Sequence, residues 1–386
     1  MMKNKTLLIS IVIVVFAAGI FFATKKKPLP QSAGEGTAGT NTQQMRVVIL
    51  TSPSGVDDGS FNQDNYEGIL AYIKKHPNAT VKAIQESTGD PAAAMKAVSD
   101  VVADYDVIVT PGFQFAGVSK LALENPDKKF VLIDVHPEKV GDQEAFDNLY
   151  AARFAEQEGG FLAGVAAALE TKTGKVAMVG GVAYPPVVNY QFGFAAGVNY
   201  ANKALGTKVQ QVEIPSYAGT DVRNVNVGGN YVGSFNDEPT GKVVGNALLK
   251  EGVDVIFVAA GNSGNGVFTA VKEAKDAKVI GCDIDQYDDG VSGNKNVVLT
   301  SVVKRMGLNV ERVLDSITDG SFKGGNHVLG ADSDSTNFIQ ADGRQQLSEK
   351  TIKQLGDVYK MIQEKKVVPP SNFSESTPKN FEGLPK

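Results

Sequence analysis

About ten short runs of β-branched and aliphatic residues recur from Arg46 onward, each followed by a stretch with helical spacing. This alternation constrains the fold more than any other feature. The runs at 47–51, 81–84, 107–110, 130–134 and 149–154 form a first set. Those at 175–179, 209–214, 253–259, 278–283 and 297–303 form a second. Continuous apolar runs, rather than alternating ones, suit strands covered on both faces. Helix starts are marked between them. Ser60 and Gln63 have capping-box spacing, and Asp90 before Pro91 predicts an N-cap with proline at the first helical position. Strand–helix alternation of this kind predicts an α/β chain with parallel sheets. Ten strands exceed one comfortable sheet, so two sheets of about five strands each are expected. In open parallel sheets ligands bind beyond the carboxyl ends of the strands. Two such lobes facing one another would form a cleft, with hinge closure as the natural motion.

Composition narrows the function classes. The 386 residues suffice for two compact domains plus a tail or linker. The net charge of −5 lacks the basic footprint of nucleic-acid binding. Cys282 is the sole cysteine, which excludes an intrachain disulfide and a thiolate zinc site. His76, His136 and His327 are scattered without metal-ligand spacing, so neither a metal nor a cofactor is expected. Trp is absent, and any aromatic ligand clamp must use Phe or Tyr.

The amino-terminal segment indicates the compartment. Lys3 and Lys5 precede an apolar stretch, 7–23, and Lys25, Lys26 and Lys27 follow it. Its length lies between that of a signal h-region and a full membrane span of roughly 20 residues. The segment around Ala33 offers a late cleavage candidate, but an uncleaved anchor over 1–27 is favoured, with the folded part outside the cytoplasm. Residues 28–45, rich in Gly, Thr, Ser, Ala and Gln, read as a flexible tether.

Several loops carry candidate chemistry. Asp57-Asp58-Gly59-Ser60-Phe61-Asn62-Gln63 follows the first strand and opens a helix. Phe61 could stack on a flat heterocycle while Asn62 and Asp58 read its edge. Equally, Phe61 could staple the helix to the sheet and the polar residues cap it. A second Ser-Phe-Asn loop, around Phe235, precedes a helical stretch, 242–250, and two rings from opposing lobes could sandwich a planar base. Chance recurrence of a short motif is the bland alternative. Gly261, in Gly261-Asn262-Ser263-Gly264, permits close backbone approach before a helix, and Asp283 and Asp285 end the following strand. The spacing is not that of a dinucleotide fingerprint. Lys304 ends the last strong strand, either as a donor into the cleft or as a solvated lysine.

Taken in order, these segments resemble the basic membrane protein family of ABC-transporter solute-binding proteins, whose purine nucleoside receptors are its best-defined members. The resemblance adds Phe161-Leu162-Ala163-Gly164, Gly180-Gly181, Gly193-Phe194-Ala195-Ala196-Gly197, Ala259-Ala260-Gly261, Ile280-Gly281-Cys282-Asp283 and Ser301-Val302-Val303-Lys304, and spans about 46–322. It implies a type I periplasmic-binding-protein fold: two doubly wound parallel-sheet lobes with a ligand cleft at the hinge. Crossovers are expected near Ala155, Asp285 and Lys304. That gives one lobe from 46–155 plus 286–304, another from 156–285 plus 305–366, and a tail over 367–386. It further implies that Phe61 and Phe235 stack on the base, Asn62 and Asp58 line its edge, and Gly261, Asp283 and Lys304 bind the ribose. The chain departs from the family in lacking the usual amino-terminal lipidation cysteine. Cys282 also replaces a small apolar residue, and 218–230, rich in Gly and Asn, looks like an insertion.

The expected function is therefore capture of a purine nucleoside and its delivery to an ABC permease by a monomeric, membrane-tethered protein that performs no chemistry. The rivals are an anchored nucleoside sensor, a binding protein for another solute such as a sugar, and an enzyme such as a nucleoside hydrolase or an oxidoreductase.

Overall fold

The computed structural model describes residues 44–371. The expected anchor, nearly all of the tether, and the tail beyond Ser371 lie outside the described residues. The chain first alternates β1 (Arg46–Thr51), α1 (Phe61–Lys75), β2 (Thr80–Gln85), α2 (Pro91–Val101), β3 (Val107–Pro111), α3 (Ser119–Glu124), β4 (Lys129–Ile133) and β5 (Leu149–Phe154). It continues with α4 (Glu156–Glu170), β6 (Lys175–Gly180), α5 (Pro185–Ala204), β7 (Gln210–Gln211), and the hairpin β8 (Gly219–Thr220) and β9 (Asn226–Gly228). Next come α6 (Glu238–Lys250), β10 (Val255–Ala259), α7 (Asn262–Glu273), β11 (Lys278–Asp283), and a second hairpin of β12 (Val291–Ser292) and β13 (Lys295–Asn296). The described part closes with β14 (Val298–Lys304), α8 (Met306–Asp319), β15 (Gly325–Leu329), β16 (Thr336–Phe338) and α9 (Glu349–Gln363).

Two six-stranded sheets result, ordered β15-β5-β4-β3-β1-β2 and β16-β14-β11-β10-β6-β7. The first is parallel throughout, and the second is parallel except for β16, which runs against β14. Helices cover both faces of each sheet, which is why the strands are apolar along their whole length. In the first lobe, α1 and α8 cover one face, while α2 and α3 cover the other. In the second, α4, α5 and α9 lie on one face, and α6 and α7 on the other. The sequence motifs around Gly164 and Gly197 find their reason in the α4–α5 contact. A side-chain carbon on Gly164 would overlap the Phe194 carbonyl, and one on Gly197 the Phe161 carbonyl, so the two helices touch backbone to backbone.

The expected lobe boundaries need correction. The stretch 286–304 does not belong to the first lobe, because β14 pairs with β11 of the second sheet over Val279–Asp283. Conversely, 305–329 belongs to the first lobe: α8 packs on α1, and β15 pairs with β5. The chain therefore crosses at Ala155, at Lys304–Arg305 and at Gly330, with no crossover at Asp285. The three crossovers are tied together. Ala155 N–H donates to Leu329 O at 2.8 Å, and Arg305 N–H donates to Ser335 O at 2.9 Å. Glu158 Oε2 accepts from Ala331 N at 2.7 Å and from Thr336 Oγ1 at 2.8 Å.

Two local expectations also change. The run 209–214 pairs only over Gln210–Gln211, because the Asn230 side chain occupies the backbone beyond it. Asn230 Oδ1 accepts from Ile214 N, and its Nδ2 donates to Val212 O. At α1 the cap is Asp58 rather than Ser60: the Asp58 carboxylate accepts from the amides of Ser60, Asn62 and Gln63 at 3.0–3.1 Å. Asp90 does cap α2, accepting from Ala93 N at 2.9 Å.

Candidate ligand cleft between the lobes

A cavity lies where the carboxyl ends of the two sheets meet, with about 670 Å³ of empty space that includes the part open to solvent. Every site residue named from the sequence lines it: Asp58, Phe61 and Asn62 from the first lobe, and Phe235, Gly261, Asp283 and Lys304 from the second. The lobes also touch directly around it. Ser60 Oγ donates to Asp283 Oδ2 at 3.1 Å, Ser54 Oγ to Phe235 O at 3.3 Å, and Gln286 Nε2 to Gly59 O at 3.4 Å. Because Asp58 has taken over the helix cap, the Ser60 hydroxyl is available for this contact.

One end of the cavity is ionic. Lys304, only 2% exposed, places Nζ 2.7 Å from Asp134 Oδ1, 3.7 Å from Glu156 Oε1 and 3.9 Å from Asp283 Oδ1. Burial opposes the ammonium charge, but Asp134, Asp283 and Glu156 outweigh it and hold Lys304 above the ordinary lysine range. The Lys304 ammonium also lies 5.1 Å from the centre of the Phe61 ring. Tyr190 donates its hydroxyl to Asp283 Oδ1 at 3.2 Å. Burial raises the Cys282 thiol well above its usual range, so it lines the cavity as a neutral group.

Asp134 and Asp283 occupy matching places. β4 and β11 each stand third from the same end of their sheets, and each is followed or ended by an aspartate with left-handed backbone, φ 79° and 69°. Such backbone costs about 1–3 kcal/mol and persists where surrounding contacts enforce it. Here it turns both carboxylates toward Lys304.

The remaining walls are aromatic and amide. Phe113 of the first lobe and Tyr184 of the second lie 5.2 Å apart, and Tyr184 lies 6.0 Å from Phe235. Phe235 rests over Gly181, where any side-chain carbon would overlap its ring, which explains the Gly180-Gly181 motif. Ser263 of α7 donates its amide to Phe235 O and its hydroxyl to Ser234 O, locking this loop against the Gly261 turn. Asn62 is oriented by Asp58: its Nδ2 donates to Asp58 Oδ2 and Ser52 Oγ, both at 2.9 Å. Among the described residues, neither Asn62 Oδ1 nor Gln114 Nε2, both buried, has a hydrogen-bond partner. Both residues line the cavity. Asp58 itself spends its carboxylate on its own loop, so it shapes the wall where the sequence suggested direct reading of a ligand edge.

Sequence reasoning did not name Asp134, Gln114, Phe113, Tyr184 or Tyr190. A signal existed for Asp134, since 130–134 and 278–283 are both apolar runs ending in aspartate. The others have none, because their loops and helices reach the cavity only through the fold. The expected insertion is the β8–β9 hairpin, beside which Tyr231 donates to Gln191 Oε1 at 2.5 Å. No group of His, Cys, Asp and Glu among the described residues is arranged to hold a metal ion.

Comparison with known proteins places the chain in a family. The family described as ABC transporter substrate-binding protein PnrA-like, Bmp, matches residues 45–222 and 216–372. The chain belongs to this family. As a Bmp protein it is a substrate-binding component that works with an ABC transporter, and it is not an enzyme. Basic membrane protein B of Borreliella afzelii is 32% identical over 299 residues, covering 75% of this chain and 77% of the relative. The ABC transporter nucleoside-binding protein BmpA of Lactococcus lactis subsp. cremoris is 29% identical over 314 residues, covering 76% and 80%. Among solved structures, an ABC transporter solute-binding protein from Aeropyrum pernix K1 superposes with a TM-score of 0.72 at 24% identity, over 89% of this chain and 100% of that one. That likeness supports the two-lobed type I periplasmic-binding fold.

Proposed function

We propose that this Bmp protein captures a purine nucleoside in the cavity between its lobes and hands it to an ABC permease. The carrying observation is the division of the cavity into an amide-lined aromatic part and an ionic end. A planar base fits between aromatic walls, where stacking contributes about 1–3 kcal/mol per base. Asn62 Oδ1 would accept from a base N–H and Gln114 Nε2 would donate to a base acceptor, relieving the two buried unpartnered atoms. Sugar hydroxyls would bond to Asp283, Asp134 and Lys304, with the Gly261 turn close by. A relative named as nucleoside-binding supports the same ligand class.

The lysine-flanked apolar segment 7–23 supports tethering to the membrane with the folded part outside the cytoplasm. No helix among the described residues is long and apolar enough to cross a membrane.

The test is a calorimetric titration of the protein after co-purified ligand has been stripped by unfolding and refolding. Inosine, guanosine and adenosine should bind tightly, with uridine weaker and free ribose silent. Tight binding of ribose alone would replace the nucleoside reading with a sugar. Silence from every nucleoside would discard the ligand class.

A further inference from the structure

Next to Lys304, yet outside the cavity lining, stands a carboxyl group to which ligand capture gives no direct task. Glu156 opens α4, one residue after the first crossover, and is 2% exposed. Its Oε2 accepts from Asn189 Nδ2 at 3.0 Å. Its Oε1 has no hydrogen-bond partner among the described residues and lies 3.7 Å from Lys304 Nζ, beyond hydrogen-bonding reach.

The groups facing Glu156 come from four elements and one turn. Asp134 approaches from the turn after β4, Arg153 from β5, Asn189 and Tyr190 from α5, Asp283 from the end of β11, and Lys304 from the end of β14. Arg153 is half-buried, and burial lowers its pKa while Glu156 raises it. Tyr190 stays a neutral phenol because burial pushes it well up. The core of the cluster is thus one ammonium against three carboxyl groups. Even with the half-buried Arg153 nearby, three ionised carboxylates would exceed the positive charge buried with them, which is costly away from water. Asp134 holds the 2.7 Å bond to Lys304, and Asp283 accepts from both Ser60 and Tyr190. Glu156 has the Asn189 amide and its own backbone N–H, but its Oε1 lacks a partner and Lys304 stays out of bonding reach, so it is the carboxyl most readily protonated.

Building on the nucleoside reading above, we infer that Glu156 is a positioning residue that carries a proton in the ligand-bound cleft, so that capture is coupled to proton uptake. Its ionisation would draw Lys304 from Asp134 toward the crossover. Its neutral form leaves Lys304 fixed between the two aspartates. Burial, then repulsion from Asp134, already push its carboxyl up to about 8. Asp283 retains 12% exposure in the open cavity. A bound ligand covers it, removes water from the cluster and strengthens repulsion among the carboxyl groups, so Glu156 binds its proton more tightly still. By linkage, affinity is full below the ligand-free pKa and falls as pH rises above it.

Two readouts test this on the whole protein. Infrared spectra of the ligand-free protein should show a protonated-carboxyl band that fades as pH rises through about 8. The component that fades through about 8 should be absent in Glu156→Gln, leaving the share that Asp64 gives up near 7. Calorimetry with adenosine, which carries no ionisable group in this range, at pH 8 in phosphate and in Tris should show proton uptake in the wild type and none in Glu156→Gln. Wild-type affinity for adenosine should fall about five- to tenfold between pH 7 and 9.5, at up to tenfold per pK unit, while Glu156→Gln holds level. Absence of the band, or an unchanged pH profile in Glu156→Gln, overturns the inference whatever the ligand is. Silence from adenosine beside an intact band defeats the nucleoside reading and the coupling with it, and confirms only the buried acid.

Discussion

Lys304 Nζ lies 2.7 Å from Asp134 Oδ1, and the two residues belong to different lobes. Lys304 ends the last parallel strand of the second sheet, and Asp134 follows the fourth strand of the first. Their contact therefore does two things: it closes the cleft and fixes the donor that a ligand would meet. Lys304→Met leaves Asp134, Asp283 and Glu156 without their cation. Breaking a buried pair by removing one partner costs roughly 3–5 kcal/mol. Urea unfolding should show a loss of that order, and nucleoside binding should disappear. Unchanged stability would mean the cluster is already compensated elsewhere.

Phe235 depends on Gly181 for its position. Phe235→Ala should weaken inosine binding about 5- to 150-fold, the affinity equivalent of 1–3 kcal/mol of stacking. Gly181→Ala should act in the same direction by displacing the ring, without removing it. Calorimetry on both variants checks the pair. If Gly181→Ala binds as the wild type does, Phe235 does not need its present place to bind ligand.

Asp64 on α1 accepts the Gly307 amide at 2.8 Å, holding the start of α8 just after the second crossover. Burial pushes its carboxyl up to about 7. The folded protein thus keeps a proton that the unfolded chain loses near pH 4. The group's contribution to stability is greatest below that range, falls as pH rises from about 4 to 7, and is level above. Asp64→Asn retains an acceptor for Gly307 and lacks the titration. The difference in unfolding free energy between the two proteins, measured across pH 4–8, should follow that slope. A flat difference would contradict the assignment.

Glu158 ties α4 to the third crossover through Ala331 and Thr336. Glu158→Ala strands a buried amide and a buried hydroxyl, each costing about 1–3 kcal/mol unless a new partner is found. Denaturant unfolding should register the loss. Glu158 lines no part of the cavity, so inosine affinity at low temperature should change far less than with Lys304→Met. A larger effect on affinity than on stability would move Glu158 into the ligand site.

The parallel cores were legible because runs such as 47–51 and 255–259 are apolar on both faces, a pattern that needs no knowledge of partners. The edge strands β15 and β16 were not. Gly325–Leu329 contains Asn and His and alternates in burial, and Thr336–Phe338 has only three residues. The crossover error around 286–304 has the same root. Val298–Lys304 is plainly a strand, but only its hydrogen bonds to β11 reveal its lobe. In the site, Phe61, Asn62, Phe235 and Asp283 were visible because they sit in loops at strand ends. Asp134 carries the same strand-end signature and was passed over. Gln114, Tyr184 and Tyr190 come from a turn and a helix whose side chains converge only in three dimensions. Asp58 was read by residue type, and its three amide partners give it a different task.

A crystal structure of the protein with inosine tests the central claim most directly. The base should lie against Phe61 and Phe235, with a base N–H on Asn62 Oδ1 and ribose hydroxyls within hydrogen-bonding distance of Asp283 and Lys304. Inosine bound elsewhere, or seated in the cavity with its sugar turned from Lys304, would contradict the account.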